Sequence, residues 1–424
     1  LLSQAQDSSL THSTLQLRAT MSAIRHPCLI MGQCPSNFEG RNTWRIPIAG
    51  LALQFVLAFL LIKLPLLQDF FIVLNQGLLA LQEATRAGTG FVFGFIGGAE
   101  VPYEEKAGTS SFILAFQALP LILVMSALSA LLFYLRILPL VVKLFSLVLQ
   151  KTLGVGGALG LGAAANIFVG MVEAPLVVRP YLSRLSRSEL FALMTCGMAT
   201  IAGTMMVLYA SILGPVLPNA MGHILIASLI SAPAAIVVAR MMVPESETAT
   251  EGELVIPQPA TSAMDAITKG TLDGLKLFLN IIAILIVLVA LVSLFNRILA
   301  GFGSPSLQEL LGLVMTPVVW LMGIPWAEAQ SAGALMGTKI VLNEFLAYLD
   351  MSALAPGTLS ERSVLIMTYA LCGFANFGSL GIIIGGMGTM APDRYQEIVG
   401  LGMKSIAAGT LATCMTGAVV GVLA

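Results

Sequence analysis

Two glutamates stand in strongly apolar stretches of the chain, where an ionised carboxylate needs a specific reason to be present. Glu173 lies in NIFVGMVEAPLVVRP, and Glu344 lies in GTKIVLNEFLAYL. A carboxylate in such surroundings is costly unless it is paired or faces water. Its two oxygens can accept hydrogen bonds from paired sugar hydroxyls or from the N–H groups of a base. The two residues therefore predict recognition of an uncharged, hydroxylated solute. The alternative is a structural ion pair with Arg179 or with Lys339.

Small polar residues near two glycine-rich interruptions extend this chemistry. Asn376 and Ser379 are three residues apart and are placed to share one face of a cavity, unless they only cap a broken helix. Asn166 and Thr200 offer hard oxygen atoms, and the interruptions offer backbone carbonyls. Such ligands suit a small hard cation such as Na⁺, although oxygen ligation alone does not identify the ion. The alternative is that these side chains only satisfy neighbouring backbone groups.

Composition restricts the class of protein. Of the 424 residues, 57% are hydrophobic and 10% are charged, whereas soluble chains carry roughly 25% charged residues. This excludes a soluble enzyme and indicates a multi-pass protein of the cell membrane. The formal net charge of −1 provides no basic surface for nucleic acid. The sequence contains no Ser–His–Asp set, HExxH or Walker motif, so it predicts neither an enzyme nor an organic cofactor.

The elements that position these residues are predicted from apolar segments. A spanning helix needs about 20 mostly apolar residues. The candidate spans are 46–62, 112–134, 190–217, 223–243, 277–295, 364–390 and 398–424. Residues 69–86 combine helical apolar spacing with polar side chains, which predicts a helix lying in the membrane interface.

The two apolar glutamates are followed by the same layout. Each precedes a predicted capping box, in which a hydroxyl and a carboxylate satisfy free amides at a helix N-terminus. The two boxes are Ser186-x-x-Glu189 and Thr358-x-x-Glu361. Each box opens an apolar helix that is interrupted midway, at 198–204 and at 372–379, and one more span follows. We therefore predict an all-α polytopic membrane fold with an inverted repeat of re-entrant hairpin, broken helix and helix, which is a transporter architecture.

The repeat divides the chain into segments with different roles. The linker 244–262, PESETATEGELVIPQPATS, and the first broken region carry the Lys/Arg bias that places them on the cytoplasmic side. The predicted organisation is an atypical polar and disordered extension at 1–43, N-terminal spans and interfacial helix forming a scaffold for oligomerisation at 44–136, the first transport repeat at 137–243, the hydrophilic linker at 244–263, a connecting spanning helix at 264–303 and the second transport repeat at 304–424.

Several stretches resemble the concentrative nucleoside transporters. They are AAANIFVGMVEAPLVVRPYL (163–182), SELFALMTCGMATIAGT (188–204), NEF (343–345) and LCGFANFGSLGIIIGG (371–386). The resemblance runs from about residue 44 to the C-terminus. It implies a homotrimer in the lipid bilayer, in which each protomer imports a nucleoside together with Na⁺, or with H⁺ in some members.

The resemblance also assigns residues by position. It gives Glu173 to the nucleobase, and it gives Glu344, Asn376 and Ser379 to the ribose, with Phe374 lining the cavity. The sodium site of the family maps onto Asn166, Val169, Thr200 and Ile201.

The chain departs from the family pattern where the base is read. Met171 and Val172 occupy positions at which the family usually has Gln followed by Ser or Thr, and Met205 adds bulk nearby. A lost buried hydrogen bond to a base edge changes discrimination by roughly one to a few kcal/mol. The base preference of the family therefore does not carry over. An H⁺-coupled carrier of a modified nucleoside or nucleobase is the alternative function, and a channel is disfavoured because the hairpins and midplane carboxylates leave no continuous polar pore.

The second departure is at the start of the chain. Prokaryotic members usually have another span before the one that begins near residue 46, and residues 1–40 contain none. Either the sequence is truncated there, or the protein has seven full spans. We expect the transport site to survive, because that span would lie outside both repeats.

Overall fold

The computed structural model describes residues 45–424, except for 101, 103–111, 172, 246 and 253–259 and a few helical side chains. All regular elements in this part of the chain are helical. The predicted all-α fold is confirmed. The extension at 1–43 lies outside the described residues.

The N-terminal helices follow the apolar pattern of the sequence. Helix α1 (Arg45–Lys63) matches the first predicted span, and α2 (Pro65–Phe93) extends the predicted interfacial helix at both ends. Proline in the first turn of α2 is compatible with a helix start, because the N–H that it lacks would have no helical partner there. A π-helical turn, Leu114–Ala118, precedes α3 (Leu121–Tyr134), and the two together form the span predicted at 112–134.

The first broken region is a series of short helices followed by a long one. The helices are α4 (Ile137–Leu153), α5 (Gly157–Asn166), α6 (Glu173–Val177), α7 (Arg187–Ala199), α8 (Gly203–Leu213) and α9 (Ala220–Met242). The predicted capping box is confirmed, since the Ser186 hydroxyl accepts from the Glu189 amide and the Glu189 carboxylate accepts from the Ser186 amide. The helix ends at Ala199 and resumes at Gly203, inside the predicted interruption.

The second half consists of one long helix followed by a second series of shorter helices and a final long one. Its helices are α10 (Ala263–Gly301), α11 (Leu307–Leu321), α12 (Trp326–Val341), α13 (Glu344–Ser352), α14 (Glu361–Leu371), α15 (Phe377–Met390) and α16 (Tyr395–Leu423). The break between α14 and α15 lies inside the predicted interruption. The inverted relation of the two halves, and the depth of the hairpins in the membrane, stay predictions.

The capping box predicted at Thr358 is wrong. Helix α14 is capped by Ser360, whose hydroxyl accepts from the Ser363 amide, while the Thr358 hydroxyl donates to the Ala355 carbonyl. A turn at Gly357, where φ is +85°, precedes the helix, and Ser360 is the residue with the extended backbone that an N-cap requires. The carboxylate of Glu328, from α12, accepts from the Ser360 amide at 3.0 Å and takes the part that Glu361 was predicted to play.

Helices α11 and α12 form a tight hairpin because glycines line their contact. A Cβ atom at Gly333 would lie 2.5 Å from the Gly312 carbonyl oxygen, and one at Gly337 would lie 2.4 Å from the Gln308 carbonyl oxygen. Only glycine permits this approach of two backbones. The hairpin therefore holds α13, which follows it directly, in a fixed place.

Five helical segments of the described chain are long and apolar enough to cross a membrane. They are Leu114–Tyr134, Arg187–Leu213, Ala220–Met242, Ala263–Gly301 and Pro392–Leu423. The predicted spans at 46–62 and 364–390 contain only shorter apolar helices, since the second is divided by its break. The apolar window of the first broken helix is 94% buried, whereas that of α10 is not buried at all. The first broken helix therefore lies at the centre of the protomer, and α10 lies nearer its edge.

The two breaks cross each other at the centre. A Cβ atom at Gly373, in the second break, would lie 2.9 Å from the carbonyl oxygens of both Met198 and Ala199, in the first. Real Cβ atoms do not approach backbone atoms this closely. Gly373 thus allows the irregular backbone of one half to contact that of the other. Inside a membrane protein, exposed carbonyls are tolerated only in such places, where they are buried in protein or line a cavity.

Candidate functional site

Glu344 is the first residue of α13, directly after the α11–α12 hairpin. Asn343 caps the helix, because its Oδ1 accepts from the Leu346 amide at 2.9 Å. The glutamate is only 3% exposed. A helix N-terminus carries partial positive charge, so this position favours a carboxylate.

Two donors from other helices hold the Glu344 carboxylate. The Tyr209 hydroxyl, from α8, donates to Oε1 at 2.5 Å, and the Asn376 amide nitrogen donates to Oε2 at 2.9 Å. Lengths in this range are typical of hydrogen bonds to an ionised carboxylate. Each oxygen retains a further lone pair. The carboxylate is therefore oriented by the protein and can still accept from a solute.

Asn376 caps one helix and also reaches the Glu344 carboxylate on another. Its Oδ1 accepts from the Ser379 amide at 2.7 Å and caps α15, and its Nδ2 donates to Glu344. A residue that caps one helix and reaches a second ties the break to the hairpin. The cap also brings Ser379 to the same place as Asn376 and Glu344.

These residues line a cavity of about 790 Å³ between the hairpins and the breaks, a volume that includes the part open to the outside. Of the residues predicted for the site, the cavity is lined by Met171, Met205, Glu344, Phe374, Asn376 and Ser379. Three apolar residues of α10 complete the wall, namely Leu277, Ile281 and Leu285. The site thus combines one polar cluster with mostly apolar walls.

Tyr209 was missed by the sequence analysis. It is fully buried, and its ring lies 5.3 Å from that of Tyr348 and 6.2 Å from that of Phe345, between centroids. The available signal was its position four residues after Met205, which places both on one face of α8. Sequence spacing alone did not indicate that this hydroxyl reaches Glu344.

The predicted base-reading residues are described only in part. Val172 lies outside the described residues, and so does the side chain of Glu173, whose backbone begins α6. The ion pair of Glu173 with Arg179 is therefore untested. Met171 and Met205 are each 7% exposed and form part of the cavity wall. Neither side chain has a strong donor or acceptor to offer a base.

The predicted cation residues meet beside the cavity. Asn166 ends α5, and its backbone carbonyl lies 3.5 Å from the Thr200 hydroxyl, which donates to the Cys196 carbonyl at 2.9 Å. The Ile201 amide lies 3.5 Å from the Ser228 hydroxyl. Val169 follows α5 in the same turn, and its successor Gly170 lines the cavity, as does Ala202 after Ile201.

The side chain of Asn166 lacks the partners that a buried amide needs. It is 1% exposed, and neither its Oδ1 nor its Nδ2 has a hydrogen-bond partner in the described part of the chain. Buried polar side chains are satisfied in most proteins. Among the described residues, the Asn166 side chain therefore serves no backbone group, whereas Thr200 does so through its bond to the Cys196 carbonyl. An orphaned oxygen beside a threonine hydroxyl and loose carbonyls fits a hard cation.

Lys339 does not form the ion pair considered for Glu344. Its ammonium donates to the Ala370 carbonyl at 2.8 Å and to the Thr413 hydroxyl at 2.9 Å. The two oxygens of Glu344 accept from Tyr209 and Asn376. The Glu344 carboxylate is therefore not part of an ion pair with Lys339.

Comparison with known proteins gives matches along most of the chain. Models described as "Na+ dependent nucleoside transporter" match at residues 29–96 for the N-terminus and 223–421 for the C-terminus, and one described as "Nucleoside recognition" matches at 115–216. An uncharacterized transporter of Haemophilus influenzae is 41% identical over 347 residues, covering 79% of this chain and 80% of that one. The nucleoside permease NupC of Helicobacter pylori is 35% identical over 388 residues, covering 89% and 91%.

Solved structures give the same result. The structure of CNTnw in an inward-facing, substrate-bound state has a TM-score of 0.86 and 32% identity, and covers 97% of each chain. A variant of CNTnw in an outward-facing state has a TM-score of 0.85 over the same share. Fold and site define a multi-pass membrane transporter. The chain belongs to the concentrative nucleoside transporter family, which confirms the resemblance and the prediction that it is not an enzyme.

Proposed function

We propose that this protein imports nucleosides by alternating access and is driven by a cation gradient, with Na⁺ as the coupling ion. The observation that carries the proposal is the Glu344 carboxylate, buried in the cavity wall and held by Tyr209 and Asn376. A preoriented acceptor pair suits a ribose diol, whose two hydroxyls donate together. Relatives in this family adopt inward-facing and outward-facing states, which supports alternating access.

In this proposal the polar cluster binds the sugar and the apolar wall contacts the base. Glu344 accepts from the ribose hydroxyls, and Asn376 and Ser379 add polar contacts beside it. Met171, Val172, Met205 and Glu173 form the base side, with Phe374 lining the cavity. The ring faces of Phe374 and the methionine side chains provide apolar contact area, so binding on this side depends on shape more than on hydrogen bonds.

The coupling ion is proposed to bind where the first break meets the end of α5. Asn166 and Thr200 would provide side-chain oxygens, and Val169 and Ile201 would provide backbone carbonyls. Bound there, Na⁺ supplies a positive charge at two helix C-termini, those of α5 and α7, which carry partial negative charge. Because Gly170 and Ala202 line the cavity next to this site, ordering of the break would also shape the solute site.

The apolar wall supports one alternative. Met171 and Met205 present no hydrogen-bonding group to a base edge, so a modified nucleoside or a free nucleobase carried with H⁺ is the second candidate. A nucleobase lacks the ribose diol and would leave the Glu344 cluster without its proposed partner.

Uptake into vesicles that contain the purified protein distinguishes these functions. Labelled uridine, adenosine and uracil are each offered under a Na⁺ gradient, a H⁺ gradient and no gradient. The proposal expects nucleoside uptake that rises with the Na⁺ gradient and little uptake of uracil. Uptake of uracil in preference to both nucleosides, driven by H⁺, would replace the proposal by its alternative.

We also propose a homotrimer. Helix α10 spans Ala263–Gly301, and among the described residues its apolar window contains no fully buried one and many exposed ones within one protomer. Such a helix faces lipid or another copy of the chain. Native mass measurement of the detergent-solubilised protein checks the number of copies, and a monomeric mass contradicts the assembly.

A further inference from the structure

At each of the two central breaks, the C-termini of two helices lie close together. At the first break, α5 ends at Asn166 and α7 ends at Ala199; at the second, α12 ends at Val341 and α14 ends at Leu371. The last carbonyls of a helix lack helical partners and carry partial negative charge. Two such ends meet at each break, and each pair favours a positive charge between them.

The two breaks differ in what can provide this positive charge. The last turns of α5 and α7 contain no basic residue, and the buried Asn166 amide has no partner in the described part of the chain. At the second break, the last turn of α12 contains Lys339, which is 0% exposed. Its ammonium donates to the Ala370 carbonyl, one of the last of α14, and to the Thr413 hydroxyl of α16. One break has orphaned ligands, and the other has a cation that is covalently part of the chain.

Among the described residues, the hydrogen bonds of Lys339 do not include a carboxylate that would neutralise its buried charge. An ammonium inside a membrane protein is costly and marks a function or a partner. Glu344, five residues away in sequence, is bonded to Tyr209 and Asn376 instead. The lysine joins the end of the hairpin, the end of α14 and the side of α16, which are the three elements that meet at the second break.

We propose that Lys339 is a built-in cation, whose ammonium takes at the second break the place that the coupling ion takes at the first. The inference rests on the proposed cation coupling. It implies that the second break is held at every stage of transport, whereas the first is ordered only when the ion binds. Lys339 is thus a positioning residue, which fixes the hairpin that carries Glu344.

The proposal is tested with a variant that replaces Lys339 by a shorter, uncharged residue. Lys339→Ser removes the charge and leaves room beside the Ala370 carbonyl and the Thr413 hydroxyl, so a free Na⁺ should bind there. An ion that binds only the folded state stabilises it by RT ln(1 + [Na⁺]/Kd) for each site, so the number of bound ions sets how steeply stability rises with the logarithm of the Na⁺ concentration. Titration of the detergent-solubilised protein with NaCl, at constant ionic strength in choline chloride, should give a slope of stability against the logarithm of the Na⁺ concentration that corresponds to about one bound ion for the wild type and approaches about two for Lys339→Ser.

Two further variants make the assignment specific. Asn166→Ala should remove the Na⁺-dependent stabilisation of the wild type, and adding Lys339→Ser to it should restore one Na⁺-dependent transition. Lys339→Met keeps the length of the side chain but fills the space with apolar atoms. It should keep the single wild-type Na⁺ transition and lose at least about tenfold of uridine uptake, because the hairpin is no longer fixed to the break.

Several results would overturn the proposal. These are a Lys339→Ser titration identical to that of the wild type, no Na⁺ response in the double variant, or wild-type uptake by Lys339→Met. A Lys339→Ser protein that assembles neither in Na⁺ nor in choline also contradicts it, because a mobile cation then cannot replace the ammonium. Absence of a Na⁺ response in the wild type would instead contradict the proposed coupling, while a response gained by Lys339→Ser would still support the role of Lys339.

Discussion

At the scale of single residues, the site depends on how Glu344 is held. Its two oxygens accept from donors on α8 and at the start of α15, so the orientation of the carboxylate is set by two helices at once. Neither donor is charged, and the nearby ammonium of Lys339 is bonded elsewhere. Both oxygens of Glu344 therefore keep acceptor capacity for a solute.

Replacing Glu344 by glutamine tests this arrangement. The amide keeps one acceptor oxygen, and its NH₂ group faces a donor, either the Tyr209 hydroxyl or the Asn376 amide. Hydrogen bonds to charged groups contribute roughly 1.5–3 kcal/mol, so uridine affinity should fall by at least about tenfold while the protein still assembles. Equilibrium binding of labelled uridine to the purified protein measures this loss, and wild-type affinity would rule out the assigned role.

A second residue-scale prediction concerns the base side. Neither Met171 nor Val172 has a strong hydrogen-bond donor or acceptor to offer a base edge. Discrimination among uridine, cytidine and adenosine should therefore be weak. The double variant Met171→Gln, Val172→Thr should sharpen it, because each buried polar group then disfavours a base that cannot pair with it.

Competition of labelled uridine by the three nucleosides, on both proteins, measures the effect. Loss of all transport in the double variant would indicate a more apolar true solute. Discrimination of about 100-fold or more in the wild type would show that base reading does not depend on these positions, since such ratios need specific polar contacts.

At the scale of elements, the crossing of the two breaks requires a glycine. Gly373→Ala would bring a Cβ atom to 2.9 Å from two backbone carbonyl oxygens of the first break. Since backbone atoms cannot rotate away, the breaks must separate. We expect a lower unfolding temperature and uridine uptake reduced by about tenfold or more, because small misplacements of a site have effects of this size.

Gly381→Ala is the matched control for that variant. Gly381 lies in α15, and a Cβ atom there would meet nothing within 4 Å. Alanine also favours a helix over glycine. Unchanged uptake and stability in Gly373→Ala, equal to those of the control, would show that the breaks are not in close contact.

The segment after α9 is docked rather than free over its first residues. Thr250 donates to the Glu189 carboxylate through its amide at 2.9 Å and through its hydroxyl at 2.6 Å, and its carbonyl accepts from the Ala158 amide at 3.2 Å. Glu189 is 0% exposed and caps α7. The segment thus connects α5, which contains Ala158, to α7, which contains Glu189.

Thr250→Val tests this connection. Valine keeps the size of threonine but removes one hydrogen bond to a buried carboxylate, so the free energy of unfolding should fall by roughly 1.5–3 kcal/mol. Thr268→Val removes an exposed hydroxyl bond within α10 and should change stability by less than about 0.5 kcal/mol. Chemical unfolding of both variants measures the difference, and equal stability would mean that the docked contact is not energetically significant.

The sequence predicted local features of these elements well and long-range contacts poorly. The two breaks, the cap at Ser186 and the helices around them follow from composition within a few residues. The cap at Thr358 failed because the turn at Gly357 displaces the helix start. The Tyr209–Glu344 bond joins residues 135 positions apart, and no local pattern specifies such a pair, because it depends on how the halves pack.

At the scale of the whole molecule, the protein combines a central unit with an exposed periphery. The first broken helix and the last helix, α16, are largely buried, whereas no described residue in the apolar window of α10 is fully buried. The solute cavity lies between α10 and the breaks, since residues of both line it. Movement of the central unit past α10 would therefore alter access to the cavity, as alternating access requires.

The measurement that tests the central claim most directly is the time course of uridine accumulation in vesicles with an inward Na⁺ gradient. A carrier that couples the two solutes accumulates uridine above its outside concentration and loses it again when the gradient is collapsed with an ionophore. We predict this overshoot for the wild type and for Gly381→Ala, and its absence for Glu344→Gln. Uridine that only equilibrates, equally with and without the gradient, would contradict a coupled carrier.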